Sequence, residues 1–242
     1  MSETKEGVCV VVGVGPGNGE AFARRFLAGG YHVALVSRTQ SKLDAMAKEM
    51  GEGPHGVAAR GFACDAGDPA ALDATFGQIA EALGPVDVLL WNAGNAEFGS
   101  FEDVTFAQME SAWRLNTLGL HAAAKLVTPE MKKKGRGAIV VTGATASLRG
   151  GARFAAFAQA KAAQRSLAQS ISRHAGADGV HVALVIVDGL VDTPMARERM
   201  PDVPAEKKLK PEAIADSVWH LAHQDPSAWT FELDVRPSHE NW

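Results

Sequence analysis

Apolar positions along the chain follow two alternating periods. Short, nearly continuous apolar runs lie at Val8–Val12, His32–Ser37, Val57–Ala63, Val86–Trp91, Ala138–Thr142, Val180–Val187 and Phe231–Val235, as expected of buried strands. Between them the pattern turns helical over 19–28, 41–50, 69–83, 105–134, 153–175 and 211–224. Strict alternation of strand and helix requires right-handed crossovers, and these put helices on both faces of a mainly parallel sheet. The pattern therefore predicts an α/β fold with about seven strands. The last run, Phe-Glu-Leu-Asp-Val, alternates apolar and acidic residues, as an edge strand with one wet face would. No repeat, low-complexity tract or linker divides the chain, so residues 1–242 read as one domain.

The first strand runs directly into glycines. Gly13, Gly17 and Gly19 are spaced G-x-x-x-G-x-G, with Gly15 and Asn18 between them, and a helical pattern follows from Glu20. A strand that breaks into such a loop and restarts as a helix outlines a dinucleotide site. Glycines let the backbone approach a pyrophosphate, whose charge then rests on the unpaired N–H groups of the helix start. The spacing differs from G-x-G-x-x-G, since Asn18 stands where that pattern needs glycine. A glycine-rich turn in another kind of α/β protein is the alternative reading of the loop.

Two segments exceed simple connections. Val191–Lys210 carries three prolines and five basic residues among apolar ones, which suits a lid over a site. The helix 154–175 is rich in alanine around much of its circumference, which invites close packing against the sheet and against another subunit.

Composition narrows the function classes without choosing one. The net charge of −4 points to neither nucleic acid nor an anionic membrane. No apolar run approaches the roughly 18 to 20 residues of a membrane span. The start of the chain, Met1–Glu6, is short and polar, unlike a signal segment. Cys9 and Cys64, the only cysteines, sit in apolar strand patterns without zinc spacing, as buried thiols of a cytoplasmic protein would.

Together the landmarks resemble the short-chain dehydrogenase/reductase superfamily over nearly the whole chain. Gly13-Val-Gly-Pro-Gly17-Asn-Gly19 matches that family's glycine motif, Asp65 its adenine-contacting acid, and Asn92-Ala93-Gly94 its N-A-G. Asn116 matches the active-site asparagine and Lys161 the lysine of Y-x-x-x-K. Asp188-Gly-Leu-Val-Asp-Thr-Pro-Met195 is similar to P-G-x-x-x-T-P-M. The resemblance implies a Rossmann-type, doubly wound, three-layer α/β/α domain. It also implies a nicotinamide cofactor whose carboxamide meets Val191 and Thr193, and a homo-oligomer, tetramer or dimer. Ser37-Arg38 ends the second strand with no acid until Asp44. A guanidinium there suits a 2′-phosphate, so NADP(H) is expected in preference to NAD(H).

The departure from the family lies in its proton-handling groups. Y-x-x-x-K reads Phe157-Ala-Gln-Ala-Lys161, and the serine expected thirteen residues earlier is Ala144. Neither residue carries a hydroxyl, and a positioned acid is worth about 10²- to 10⁴-fold. Candidate replacements are Thr145, Ser147, Asp188 with a pKa raised by an apolar pocket, and Lys161 acting directly or through a water held with Asn116. Each of the first three also has a plain structural reading, as a loop hydrogen bond or a cap. The sequence thus predicts an NADP(H)-dependent oxidoreductase acting on a small molecule that needs little help from a tyrosine, such as a conjugated C=C or C=N bond. The alternative is a non-catalytic NADP(H)-binding sensor or assembly protein.

Overall fold

Strand β1 (Gly7–Val12) is buried on both faces, with Val8, Val10 and Val12 entering one apolar layer and Cys9 and Val11 the other. The structure is a computed structural model that describes residues 7–95 and 97–239, so Met1–Glu6 lies outside the described residues. Following β1 are α1 (Asn18–Ala28), β2 (Tyr31–Ser37), α2 (Gln40–Met50), β3 (Ala59–Ala63), α3 (Pro69–Leu83) and β4 (Val88–Trp91). Next come α4 (Phe106–Trp113), α5 (Gly119–Lys134), β5 (Gly137–Ala144), α6 (Ala155–Ala175) and β6 (Val180–Val187). The chain continues through β7 (Leu190–Val191), α7 (Pro194–Arg199), β8 (Lys208–Leu209), α8 (Pro211–Ala222) and β9 (Glu232–Val235).

Seven strands form one parallel sheet in the order β3-β2-β1-β4-β5-β6-β9, with the alternating strand at its edge as expected. The order reverses at β1, where β2 lies on one side and β4 on the other. A crevice opens there at the carboxyl ends of the strands, the place where doubly wound sheets bind ligands. Apolar side chains fill a layer on each face, so the protein is a three-layer α/β/α, Rossmann-type fold.

Three boundaries differ from the sequence pattern. The single helix expected over 105–134 is broken at Arg114–Leu118 by a π-turn, in which Gly119 N–H reaches back to Arg114. Such a turn inserts one residue and releases carbonyls from the helical ladder. Val57 and Val86 fall outside the strands because Gly53 N–H bonds Val57 and the ladder of β4 starts at Val88. The segment 191–210 is not an irregular loop: β7 and β8 pair across it and α7 fills its middle. Val191 and Leu209 pack into the core layer, while Met195 and Met200 stay exposed.

Candidate active site

The glycine loop is shaped by close approaches at two positions. Gly13 has φ +93°, and a Cβ there would lie 2.4 Å from the Ala93 nitrogen. A Cβ on Gly19 would lie 2.5 Å from the Gly13 carbonyl. Asn92 ties the two loops together, its side-chain amide donating to Gly13 O at 2.8 Å. Gly15, by contrast, faces open space. The first turn-forming bonds of α1 are donated by Glu20 and Ala21, while the N–H groups of Gly17, Asn18 and Gly19 have no carbonyl partner among the described residues. Asn18 Oδ1 is buried and also unpartnered. A cradle with three free N–H groups at the start of a helix fits the phosphates of a dinucleotide.

Around this cradle the remaining expected cofactor residues fall into place in part. Arg38, just past β2, is exposed and has no ion-pair partner among the described residues. Asp65 is exposed at the end of β3, and one of its carboxylate oxygens accepts from Gly67 N–H at 2.9 Å. Thr193 reaches the loop from the other side: its methyl lies 2.7 Å from where a Gly17 Cβ would be. Its hydroxyl caps α7 by accepting from Ala196 N–H at 3.1 Å. Val191 is half-buried in β7 and pairs with Leu209. The 191–210 segment therefore closes against the glycine loop, and the charges of its Asp192 and Arg197 are spent on each other at 2.8 Å.

The second half of the site is built by α6 against the π-turn. Phe157 and Lys161 are one turn apart, and Lys161 Nζ sits 5.9 Å from the Phe157 ring centre. Lys161 is 5 % exposed and donates to Thr142 O at 2.8 Å and to Gln164 Oε1 at 3.0 Å. With no carboxylate beside it, burial alone lowers its pKa from 10.5 to about 7. Asn116 is fully buried in the π-turn, its Nδ2 donating to Ala112 O at 2.9 Å and Asn95 Oδ1 at 3.2 Å. Its Oδ1 has no partner among the described residues. A Cβ on Gly94 would lie 2.8 Å from that oxygen and 3.5 Å from Lys161 Nζ, so Gly94 keeps the space between them open.

The three candidate replacement acids are placed otherwise than proton transfer to a substrate would need. Ser147 Oγ accepts from Ala144 N–H at 3.1 Å. Thr145 Oγ1 donates to Asp188 in a very short hydrogen bond. Asp188 lies in no apolar pocket, because Arg236 stands 3.4 Å from its other oxygen. The Thr145 hydroxyl and the Arg236 guanidinium hold Asp188 as an acceptor. Two residues that pattern reading passed over matter here. Arg236, just past β9, anchors Asp188. Gln164 is fully buried and bridges Lys161 to Asn116, donating from Nε2 to the Asn116 main-chain carbonyl at 2.8 Å. Gln164 is one of three glutamines in the alanine-rich α6, with Gln159 and Gln169, and nothing in the pattern sets it apart.

An aromatic group borders the same place. Phe98 meets Phe154 edge-on at 5.3 Å and Phe157 at 6.4 Å, and Phe98 and Phe154 are exposed. A cavity of about 740 Å³ lies elsewhere, at the amino-terminal ends of the strands, lined by Gly7, Tyr31, Asp87, Arg136, His181 and Trp229.

Fold and cradle define a dinucleotide-binding α/β protein of the Rossmann type. The chain belongs to the short chain dehydrogenase family, whose model matches residues 7–204. It is similar to 2-(S)-hydroxypropyl-CoM dehydrogenase 3 of Xanthobacter autotrophicus, 30 % identical, with 90 % of this chain and 89 % of that protein covered. A second relative from the same organism, named inactive 2-(S)-hydroxypropyl-CoM dehydrogenase 2, is 31 % identical over 82 % of this chain and 90 % of its own. Among solved structures, the alcohol dehydrogenase of the archaeon Thermococcus sibiricus complexed with 5-hydroxy-NADP superposes with a TM-score of 0.87. It is 27 % identical, covering 98 % of this chain and 99 % of that one. The protein is thus an oxidoreductase of the short-chain dehydrogenase type with a site that fits a nicotinamide cofactor.

Proposed function

We propose that this protein is an NADP(H)-dependent reductase that works without a tyrosine or serine acid, on conjugated C=C or C=N bonds of a small molecule. What supports the reading is a glycine loop with three free N–H groups beside a buried Lys161 that is held by carbonyl oxygens alone. Phe157 and Ala144 occupy the positions where a hydroxyl pair would stand, and neither can give or take a proton. The cofactor, when bound, supplies the hydride. What the chain adds is orientation, exclusion of water by the Phe98, Phe154 and Phe157 rings, and a buried amine that is partly protonated near neutral pH. A substrate whose reduced form is protonated by water, or which enters already protonated, needs nothing more.

Arg38 is the residue proposed to choose NADP(H). It stands exposed at the end of β2 with no ion-pair partner among the described residues, ready for a 2′-phosphate. The purified protein should bind NADPH more tightly than NADH in a fluorescence titration, and Arg38→Ala should remove most of the difference. One charge-assisted contact is worth about 1.5–3 kcal/mol, or roughly tenfold to a hundredfold. Equal affinities in the unmodified protein would refute this. Turnover is tested by following nicotinamide absorbance with NADPH and a panel of ketones, enones and imines.

A second reading, a non-catalytic NADP(H)-binding protein, draws on a specific observation. Thr145, Ser147 and Asp188 are all engaged within the protein, and one relative is named as inactive. Tight NADPH binding with no oxidation across the panel would favour it.

A further inference from the structure

Lys161 is held from two sides by neutral carbonyl oxygens, Thr142 O at 2.8 Å and Gln164 Oε1 at 3.0 Å. The second of these belongs to an amide whose other end is also fixed. Gln164 Nε2 donates at 2.8 Å to the main-chain carbonyl of Asn116, inside the π-turn Arg114–Leu118. The result is a chain of hydrogen bonds from Asn116 through Gln164 and Lys161 to Thr142. Every member is half-buried or buried, and Gln164 is 0 % exposed.

We propose that Gln164 is a positioning residue, whose side-chain amide fills the place of a relay water between Lys161 and Asn116. It fixes the amino group so that one N–H direction remains for a ligand. The inference rests on the proposed function only for the use made of Lys161; the placement itself is a property of the free protein. An amide carbonyl accepts a hydrogen bond but does not pass a proton on as water does. Lys161 therefore has no proton relay through Gln164, and a proton it gives up returns through the space that Gly94 keeps open.

The groups facing Lys161 make its ionisation a clean report on this bridge. They are Gly94 from the loop after β4, Asn116 from the π-turn, Thr142 from β5, and Phe157 and Gln164 from α6. None of these is charged. Asp188, the buried carboxyl at the same end of the sheet, is bound by Thr145 and Arg236.

The test is a titration of Lys161 in nucleotide-free protein labelled with 13C at lysine Cε, its NMR signal assigned by loss in Lys161→Met. The unmodified protein should show one lysine titrating near neutrality, far below the others. Gln164→Glu places a carboxylate against Nζ and should raise that inflection by about 1 to 3 pH units. Gln164→Met removes the acceptor while keeping the volume and should lower it. A merely structural glutamine would change melting temperature in both variants and leave the inflection where it was, and that result overturns the proposal. If Gln164→Glu fails to fold, the methionine variant carries the test alone. Failure of the unmodified protein to bind NADPH would overturn the proposed function and leave this inference standing.

Discussion

Burying Lys161 without a counter-ion has a cost that depends on pH, and its sign follows from linkage. The folded-state pKa, about 7, lies below the ordinary lysine value of 10.5. Between the two, the unfolded chain binds more protons, so this group's penalty shrinks as pH rises from about 7 towards 10.5 and is complete below 7. A shift of this size corresponds to about 5 kcal/mol. Lys161→Met should therefore stabilise the nucleotide-free protein, by more at pH 6 than at pH 9, as read from paired thermal melts. An equal change in melting temperature at both pH values would show that Lys161 is not depressed. The same residue argues for function, since a protein gains nothing for folding from an unpaired buried amine. Gly13 gives the opposite case, a residue fixed by geometry alone. With φ +93° and Ala93 N only 2.4 Å from a Cβ, Gly13→Ala is strained in both backbone and packing. We expect a loss of about 1–3 kcal/mol in a denaturant titration, with weakened NADPH binding.

At the scale of elements, the site is the meeting of α6 with the π-turn and the ends of β4 and β5. In the proposed reading this scaffold retains what carbonyl reduction needs except for two hydroxyls and the space held by Gln164. Phe157→Tyr with Ala144→Ser alone should give little ketone reduction, because the Asn116 carbonyl is taken by the glutamine amide at 2.8 Å. Adding Gln164→Ala should open that carbonyl to water, and ketone turnover should rise towards the about 10²- to 10⁴-fold that a positioned acid supplies. A triple variant no faster than the double would show that the carbonyl is not wanted as a water site. What the sequence made legible follows the same division. Strand-helix alternation and the glycine spacing are local and periodic, so the sheet, its edge strand and the cradle of Gly13, Gly17 and Gly19 could be read directly. The π-turn could not, because inserting one residue leaves the apolar stripe of 105–134 almost unchanged. Nor could Gln164, Arg236 or the Thr145–Asp188 contact, which join residues brought together only by the fold and separated by up to 48 positions.

For the molecule as a whole, the outer faces of α4 and α6 bear on assembly. Phe106 is 96 % exposed and Phe101 81 %, with Trp113 also exposed on the same stretch of chain. Beneath them Ala112, Ala156 and Ala160 pack α4 directly against α6, a seam of small residues that leaves the bulky ones outside. Aromatic rings left this open are what an interaction surface would present. The occupant that agrees with the alanine-rich α6 is a second copy of this chain, whose two-fold symmetry would set each aromatic stretch against its mate. The expected state in sedimentation at micromolar concentration is a dimer or tetramer. Phe106→Glu, which adds a charge at a position almost fully exposed in the single chain, should shift the population towards monomer while leaving the monomer's fold intact by circular dichroism. NADPH affinity should be unchanged, since the cradle at Gly13–Gly19 lies on another part of the sheet. A protein that sediments as a monomer without the substitution would leave these rings to a different partner, and assembly would then have to be sought with the substrate or cofactor present.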